Sequence, residues 1–300
     1  MTNRRGFNSY LVGAGASAAL ASCSPLITGN DNTVKAIDCH AHVFTRNLPM
    51  PDQRRAPSGY DAPVQSYLAQ LDAHGITHGV LVQPSFLGAD NSYLLDALRH
   101  SRQRLRGIAV VAPDVSEQQL EDMHVAGIVG VRLNLVGLGT PAFAGANWQR
   151  LLAAIRRLDW QVEVHREANL LQSVMEPLLA AGVKVVVDHF GRPDPALGVD
   201  DPGFRYLLSL GASRQVWVKL SGAYRNGANG VGEATARKAI PLLRAQFGLD
   251  RLVWGSDWPH TLFEGGESYA RAVALLHELL PAPLERGQVL WNTPQALFKF

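Results

Sequence analysis

Several histidine and aspartate residues lie at spacings that suit acid–base chemistry or metal binding. In the segment DCHAH, residues 38–42, alternation along a strand predicts that Asp38, His40 and His42 share one face. Two imidazoles placed in this way can bind one metal ion or one substrate oxygen. Towards the other end of the chain Asp257 offers a carboxylate that could take a proton from water or bind a metal. The alternative for Asp257 is a helix cap.

A third polar segment is DHFGRP, residues 188–193, which follows an apolar run. Alternation predicts that His189 faces the site together with Val185 and Val187. The same alternation turns Asp188 the other way, where it would orient a neighbour or contact a helix.

The elements that must position these residues alternate between strand and helix eight times. Short β-branched runs predict strands at 34–39, 78–83, 106–111, 128–133, 160–165, 183–188, 215–220 and 251–256. Amphipathic stretches predict helices at 62–74, 91–104, 116–126, 147–158, 168–181, 203–213, 233–247 and 267–280, with a last helix from the cap at 292–294. This pattern predicts an α/β protein, a single (β/α)₈ TIM barrel. A doubly wound sheet is the alternative, but it would more often carry a glycine-rich turn after its first strand.

A barrel of this kind places its chemistry at the carboxyl ends of its strands. Half of the ten histidines fall at or just after predicted strand ends, namely His40, His42, His165, His189 and His260. Because odd-numbered strands of a barrel share layers, we also expect Asp38, Glu163 and Lys219 to form a buried ion network under the site.

Together the segments DCHAHVF (38–44), DHFG (188–191) and GSDWPH (255–260) resemble the amidohydrolase superfamily. They are most similar to its branch of lactone hydrolases, which includes 2-pyrone-4,6-dicarboxylate and sugar lactonases. The resemblance covers residues 34–300. It implies a TIM barrel with Asp257 as general base and with His40, His42 and His189 around the substrate carbonyl. Members with two metals carry a carboxylated lysine after strand 4, where this chain has VRLN (131–134), which argues against a dinuclear site.

The predicted substrate is a small anionic lactone, because arginine binds carboxylates in a bidentate manner. Arginines of the loop after strand 1, including Arg46 and Arg55, either bind substrate or are solvated charges. The residues at predicted strand ends expected to bind substrate are Arg132, Tyr224, Arg225, His165, His260, Gln83 and Ser85.

Two cofactor states fit the sequence. One divalent ion, zinc or manganese, could be held by His40, His42, His165 and Asp257. Alternatively no metal is required, provided that the substrate is an activated ester such as an enol lactone. The competing functions are a metal-dependent decarboxylase or other hydrolase of the same superfamily, and a non-catalytic tethered binding barrel.

Composition narrows the class of protein further. The chain has 300 residues, of which 47% are hydrophobic and 18% charged, so a disordered chain is excluded. Removing Arg4 and Arg5 with the leader leaves 26 basic and 26 acidic residues, which argues against nucleic-acid binding. Cys23 and Cys39 are the only cysteines, too few for a disulfide framework.

Residues 1–23 resemble a twin-arginine lipoprotein signal. Twin arginines at 4–5 precede an apolar run at about 10–21, and the segment LASC ends at Cys23, the predicted lipidation site. Residues 24–33 read as a flexible tether, and 34–300 as the hydrolase domain. We therefore expect a bacterial protein on the periplasmic face, anchored in the membrane only through lipid on Cys23. The alternatives are plain cleavage of the signal, or a cytoplasmic protein whose start is assigned too early.

Overall fold

The computed structural model describes residues 35–52, 55–57 and 59–300, and eight parallel strands form its centre. Each strand pairs with the next along the chain, in the order β1 to β8. The strands are β1 Ile37–Ala41, β2 His78–Val82, β3 Leu105–Ala109, β4 Ile128–Asn134, β5 Gln161–His165, β6 Lys184–Val187, β7 Val216–Leu220 and β8 Leu252–Trp254. All eight predicted strands are confirmed.

Backbone hydrogen bonds join the first strand to the segment after the last. The amide of Asp257 donates to the carbonyl of His40 at 2.8 Å, and the amide of His42 donates to the carbonyl of Trp258 at 2.8 Å. The eight strands therefore form a nearly closed barrel, as in a TIM barrel. Closure also brings the first and eighth strand ends, 217 positions apart in sequence, into direct contact.

Helices alternate with the strands and surround them, as the sequence predicts. Within the described residues they are α1 Val64–Ala73, α2 Ser92–His100, α3 Glu117–Ala126, α4 Ala146–Arg157, α5 Gln172–Ala180, α6 Pro202–Ser209, α7 Val231–Phe247, α8 Tyr269–Leu279, α9 Pro283–Gly287 and α10 Thr293–Phe298. The short α9 is not among the predicted helices. No helix of the described ranges is long and apolar enough to cross a membrane.

The barrel interior is apolar in its lower half and closed from below. Ile37, Val80 and Val186 pack inside it against Phe298 of α10. A second apolar layer lies between the strands and the surrounding helices. Above this apolar layer, charged side chains such as Glu163 and Lys219 converge towards the carboxyl ends of the strands.

A β-bulge in β1 changes which of its side chains point inward. Asp38 pairs with Gly79 and Ala41 with Leu81, so three steps on β1 match two steps on β2. Asp38 consequently faces the helical layer, where it contacts Tyr269 of α8. The predicted common face for Asp38, His40 and His42 is therefore wrong for Asp38.

The predicted orientation of residues 185–188 is also wrong. Val185 and Val187 pack in the layer under the helices, and Val186 lies inside the barrel. Alternation then turns Asp188 inward. His189 still reaches the interior because the backbone leaves the strand there in a left-handed conformation, with φ of 52°.

Residues 1–34 lie outside the described part of the chain. The predicted signal and the tether at 24–33 fall within them.

Candidate active site

His40, His42 and Asp257 meet at the carboxyl end of the barrel. The Nε2 atoms of the two histidines are 3.2 Å apart, and Asp257 Oδ1 lies 3.7 Å from the first and 3.8 Å from the second. All three side chains are buried. Burial, with the positive charge of Lys219 for His40 and of Arg132 for His42, lowers the pKa of each imidazole to about 3. Both rings are therefore neutral at pH 7.

Asp257 is held from behind by Tyr224 and Arg225. The Tyr224 hydroxyl donates to Oδ2 at 2.7 Å and the Arg225 Nε donates to the same oxygen at 2.5 Å. Burial raises the pKa of Asp257, but the opposite charge of Arg225 outweighs it and holds this pKa well below its usual range. Oδ1 has no hydrogen-bond partner in the described structure and faces the imidazole pair. An ionised oxygen is thus left free at the centre of the site.

A buried ion cluster lies directly under His40. Lys219 Nζ is 2.9 Å from His40 Nδ1, 2.7 Å from Glu163 Oε2 and 3.2 Å from Asp188 Oδ1. Burial lowers the pKa of Lys219, but the two carboxylates outweigh it and raise that pKa, so the ammonium is charged. The predicted network is confirmed for Glu163 and Lys219. Asp188, rather than Asp38, is its third member.

Asp38 instead fixes the loop that carries the base. Its carboxylate accepts from the Ser256 amide at 2.8 Å, from the Ser256 hydroxyl at 2.6 Å and from the Tyr269 hydroxyl at 3.1 Å. Ser256 directly precedes Asp257. Because of the β1 bulge, Asp38 lies on the outer side of the strand and holds Ser256, whereas His40 and His42 lie on the inner side and form the site.

His189 and His165 complete a wall of imidazoles. The His189 ring lies 4.9 Å from the His40 ring and 4.6 Å from the His165 ring, and its Nδ1 is 2.9 Å from the Ser221 hydroxyl. Arg132 Nη2 reaches the Nδ1 of His165 at 3.3 Å and Asp188 at 3.4 Å. The strand-end histidines predicted from sequence are thus brought together.

Cationic side chains line the cavity above Asp257. Arg55, Arg132 and Arg225 lie on its wall, next to Ser85 and Asn134, which hydrogen-bond to each other at 2.9 Å. Burial and the repulsion of neighbouring guanidinium groups lower the pKa of Arg55 to about 9. Such a cluster of like charges favours the binding of an anion.

Arg192 is a further cation that the sequence reasoning left without a role. It lines a wider cleft of about 410 Å³, which shares Arg225 with the inner cavity. It could have been predicted from its position in the segment DHFGRP, three residues after His189. Arg46, by contrast, is a solvated loop charge, 3.1 Å from Asp61.

Three residues predicted to touch substrate are hydrogen-bonded within the protein around the site. The Gln83 amide donates to the carbonyls of Gly88 and Asp90 and anchors the loop after β2. Tyr224 lies behind Asp257, and His260 Nδ1 is 3.5 Å from the Tyr224 hydroxyl. Gln83, Tyr224 and His260 thus hold loops and side chains around the site, and their contact with substrate stays a prediction.

The three central side chains also fit a divalent metal ion by distance. Ligand atoms about 2.1 Å from a tetrahedral ion lie about 3.4 Å from one another, and the edges of the triangle formed by His40, His42 and Asp257 are 3.2, 3.7 and 3.8 Å. His40, Asp188 and His189 form a second possible set. In the described part of the chain, His165 belongs to neither set, and its Nδ1 faces Arg132.

An eight-stranded barrel with paired histidines on its first strand and an aspartate after its eighth defines a class of barrel hydrolases. The family model for the amidohydrolases matches residues 37–300. The chain belongs to the amidohydrolase family.

Relatives named as lactone hydrolases match most of this chain. A 4-sulfomuconolactone hydrolase from Hydrogenophaga intermedia is 34% identical over 87% of this chain and 88% of its own length. A 2-pyrone-4,6-dicarboxylate hydrolase from Comamonas testosteroni is 35% identical over 75% of this chain and 77% of its own. Among solved structures, a probable 2-pyrone-4,6-dicarboxylic acid hydrolase from Acinetobacter baumannii, with citric acid bound, is 41% identical. It has a TM-score of 0.86 and covers 88% of this chain and 99% of its own.

Proposed function

We propose that this protein hydrolyses a small lactone that carries carboxylate or similar anionic groups. The observation that carries the proposal is the free Oδ1 of Asp257, which faces the two imidazoles of β1 beneath a wall of arginines. The hydrolases of 4-sulfomuconolactone and 2-pyrone-4,6-dicarboxylate support it, because both relatives act on anionic lactones.

The reaction uses groups already in place. Asp257 takes a proton from water, and the water oxygen attacks the lactone carbonyl. The charge that develops on the carbonyl oxygen lies near His40 and His189, where each N–H donor is worth about 3 kcal/mol, and His42 lies beside them. The ring C–O bond then breaks, and Asp257 returns the proton to the departing oxygen. The product is one open chain with a hydroxyl or enol and a carboxylic acid, which releases its proton to solvent.

The depressed pKa of Asp257 sets the kind of ester that can react. A carboxylate held ionised by Arg225 is available over a wide pH range, but it is a weak proton acceptor. The leaving group must therefore be good, as the enolate of a pyrone is. An unactivated amide does not meet this requirement.

A divalent metal fits the same side chains and is a separate proposal. His40, His42 and Asp257 would hold it, and it would polarise the substrate carbonyl or lower the pKa of a bound water. Comparing metal content with activity before and after treatment with a chelator tests whether it is required.

The Asp257→Asn variant tests the proposed reaction. Asparagine keeps the shape and can still accept from Tyr224, but it cannot take a proton from water. We expect kcat for 2-pyrone-4,6-dicarboxylate to fall about 100- to 10,000-fold. The measurement is the ultraviolet absorbance of the ring, followed in parallel with 4-sulfomuconolactone.

Glu264→Gln is the matched control, because this exposed carboxylate lies on the same loop; it should retain activity. A decarboxylase would instead release carbon dioxide from an aromatic acid and open neither lactone. A binding protein would bind the lactone without opening it, in the wild-type chain as in Asp257→Asn. Either result would replace the proposed function.

Export and lipid attachment remain a second proposal, which rests on residues 1–23. Lipid on Cys23 predicts that the native protein partitions into the membrane fraction and incorporates labelled palmitate. Cys23→Ala should abolish incorporation. A protein that stays in the cytoplasm with its leader intact would exclude this localisation.

A further inference from the structure

The hydrogen bonds around His40 and His42 leave one consistent placement of their protons. His42 Nδ1 lies 2.7 Å from the carbonyl oxygen of Val82, which can only accept. In the neutral ring, His42 Nε2 is therefore a lone pair. It faces His40 Nε2 at 3.2 Å, so the proton of this contact belongs to His40.

The other side of the His40 ring agrees with this placement. Its Nδ1 then carries a lone pair, and the nearest polar atom is Lys219 Nζ at 2.9 Å. The ammonium group donates and cannot accept. Glu163 and Asp188, at 2.7 Å and 3.2 Å, keep it charged and aimed at the ring. Lys219 thus donates to His40, His40 donates to His42, and His42 donates to the carbonyl of Val82.

The competing tautomer has a clear structural cost. Asp188 Oδ1, at 3.5 Å, could accept a proton from His40 Nδ1. His40 Nε2 would then be a lone pair, and two lone pairs would face each other at 3.2 Å unless a cation lay between them. The same two nitrogen atoms can therefore be bridged by a proton or by a metal ion, but not by both.

We propose that Lys219 is a positioning residue that keeps the proton on Nε2 of His40 and so selects the metal-free form of the site. In this form the Nε2 proton of His40, which is shared with His42 in the free site, can be donated to the reacting carbonyl when substrate binds. His42 has no proton on Nε2 to donate. The catalytic part of this inference rests on the proposed lactone hydrolysis, whereas the tautomer does not.

The tautomer can be measured in the unmodified protein. In chelator-treated protein labelled with ¹⁵N-histidine, we expect His40 to be protonated at Nε2 only and His42 at Nδ1 only. His40→Gln and His42→Gln identify the two sets of signals by their loss. A proton on Nδ1 of His40 in the wild-type protein would overturn the proposal, whatever the activity.

Lys219→Met tests the role of the ammonium group. With the donor removed, the His40 proton should move to Nδ1, towards Asp188, and zinc affinity measured by chelator competition should rise at least 10-fold. The kcat for lactone should fall, with a smaller effect on KM. A purely structural lysine would not increase metal affinity.

Lys219→Met with Glu163→Gln covers the case in which the single variant fails to fold, because it removes one charge of each sign from the cluster. Lys184→Met is the matched control, since Lys184 lies at the start of the neighbouring strand and pairs with Asp159; its zinc affinity should be unchanged. Unchanged or weaker zinc binding in the folded Lys219 variants would overturn the role of Lys219. If His40 carries its proton on Nε2 but the protein opens no lactone, the proposed function is disproved and the tautomer assignment stands.

Discussion

Three buried aspartates of this site have pKa values that are shifted in different directions because their neighbours differ. Burial raises the pKa of Asp38, which accepts only from neutral donors. For Asp188 and Asp257 burial acts in the same direction, but Lys219 and Arg225 outweigh it and lower both pKa values. The sequence identifies these carboxylates as candidates. It does not say which cation each will meet, and that cation decides whether the group is a base, an orienting residue or a structural acceptor.

A prediction at this scale concerns Arg55, which the sequence left undecided between substrate binding and solvation. Arg55→Gln should raise KM for a dianionic lactone about 10- to 100-fold with little change in kcat, because one charge-assisted hydrogen bond is lost. Steady-state kinetics measure both constants. Arg46→Gln on the same loop is the control, since its partner is the exposed Asp61, and it should leave KM unchanged. A KM unaffected by Arg55→Gln would exclude Arg55 from the anion site.

At the scale of single elements, strand periodicity predicted inward and outward faces correctly where the strand is regular. On β5 Glu163 points inward and Val162 and Val164 point outward, as expected. The rule failed at the β1 bulge, and on β6 it assigned Val185 and Val187 to the wrong face because it was counted back from His189, where the backbone has already left the strand. A bulge depends on pairing with the neighbouring strand, so alternation within one segment does not reveal it.

A prediction at the scale of elements concerns the turn after β7. An added Cβ at Gly222 would lie 2.6 Å from Asp257 Oδ2 and 2.8 Å from His189 Nδ1. Gly222→Ala should therefore displace both side chains and lower kcat at least 100-fold. Gly230→Ala is the matched control, because its φ of 82° carries similar backbone strain and its Cβ meets nothing within 4 Å. Equal losses of activity in the two variants would attribute the effect to backbone strain alone.

For the molecule as a whole, gathering neutral histidines in one place links stability to pH. Burial lowers the pKa of five imidazoles below the usual 6.5, those of His40, His42, His165, His189 and His260. Their contribution to stability is complete above pH 6.5. It is lost as pH falls towards the lowered values, because the unfolded chain takes up protons that the folded chain does not.

Burial also raises the pKa of Glu163, to about 7. The folded chain therefore takes up a proton on Glu163 as pH falls through 7, which increases stability and partly offsets the loss from the imidazoles. Taking the five imidazoles and Glu163 together, we expect the free energy of unfolding to fall by about 4 kcal/mol between pH 7 and pH 5.5. Urea denaturation at the two pH values measures it. A change of less than about 1 kcal/mol would show that these imidazoles are not held neutral in the folded protein.

The sequence by itself determined the eight strand–helix units and the set of residues at the strand ends. Both follow from local periodicity and from the position of each polar residue relative to the strand before it. His40, His42, His189 and Asp257 were found in this way.

Only the tertiary structure decided how these side chains pair. Barrel closure places Asp257 against His40, and the bulge in β1 and the turn at His189 exchange the tasks of Asp38 and Asp188. The physical reason is that charges in a buried site interact with whatever lies within a few ångströms. Those neighbours come from strands far apart in sequence, so the chain order does not specify them.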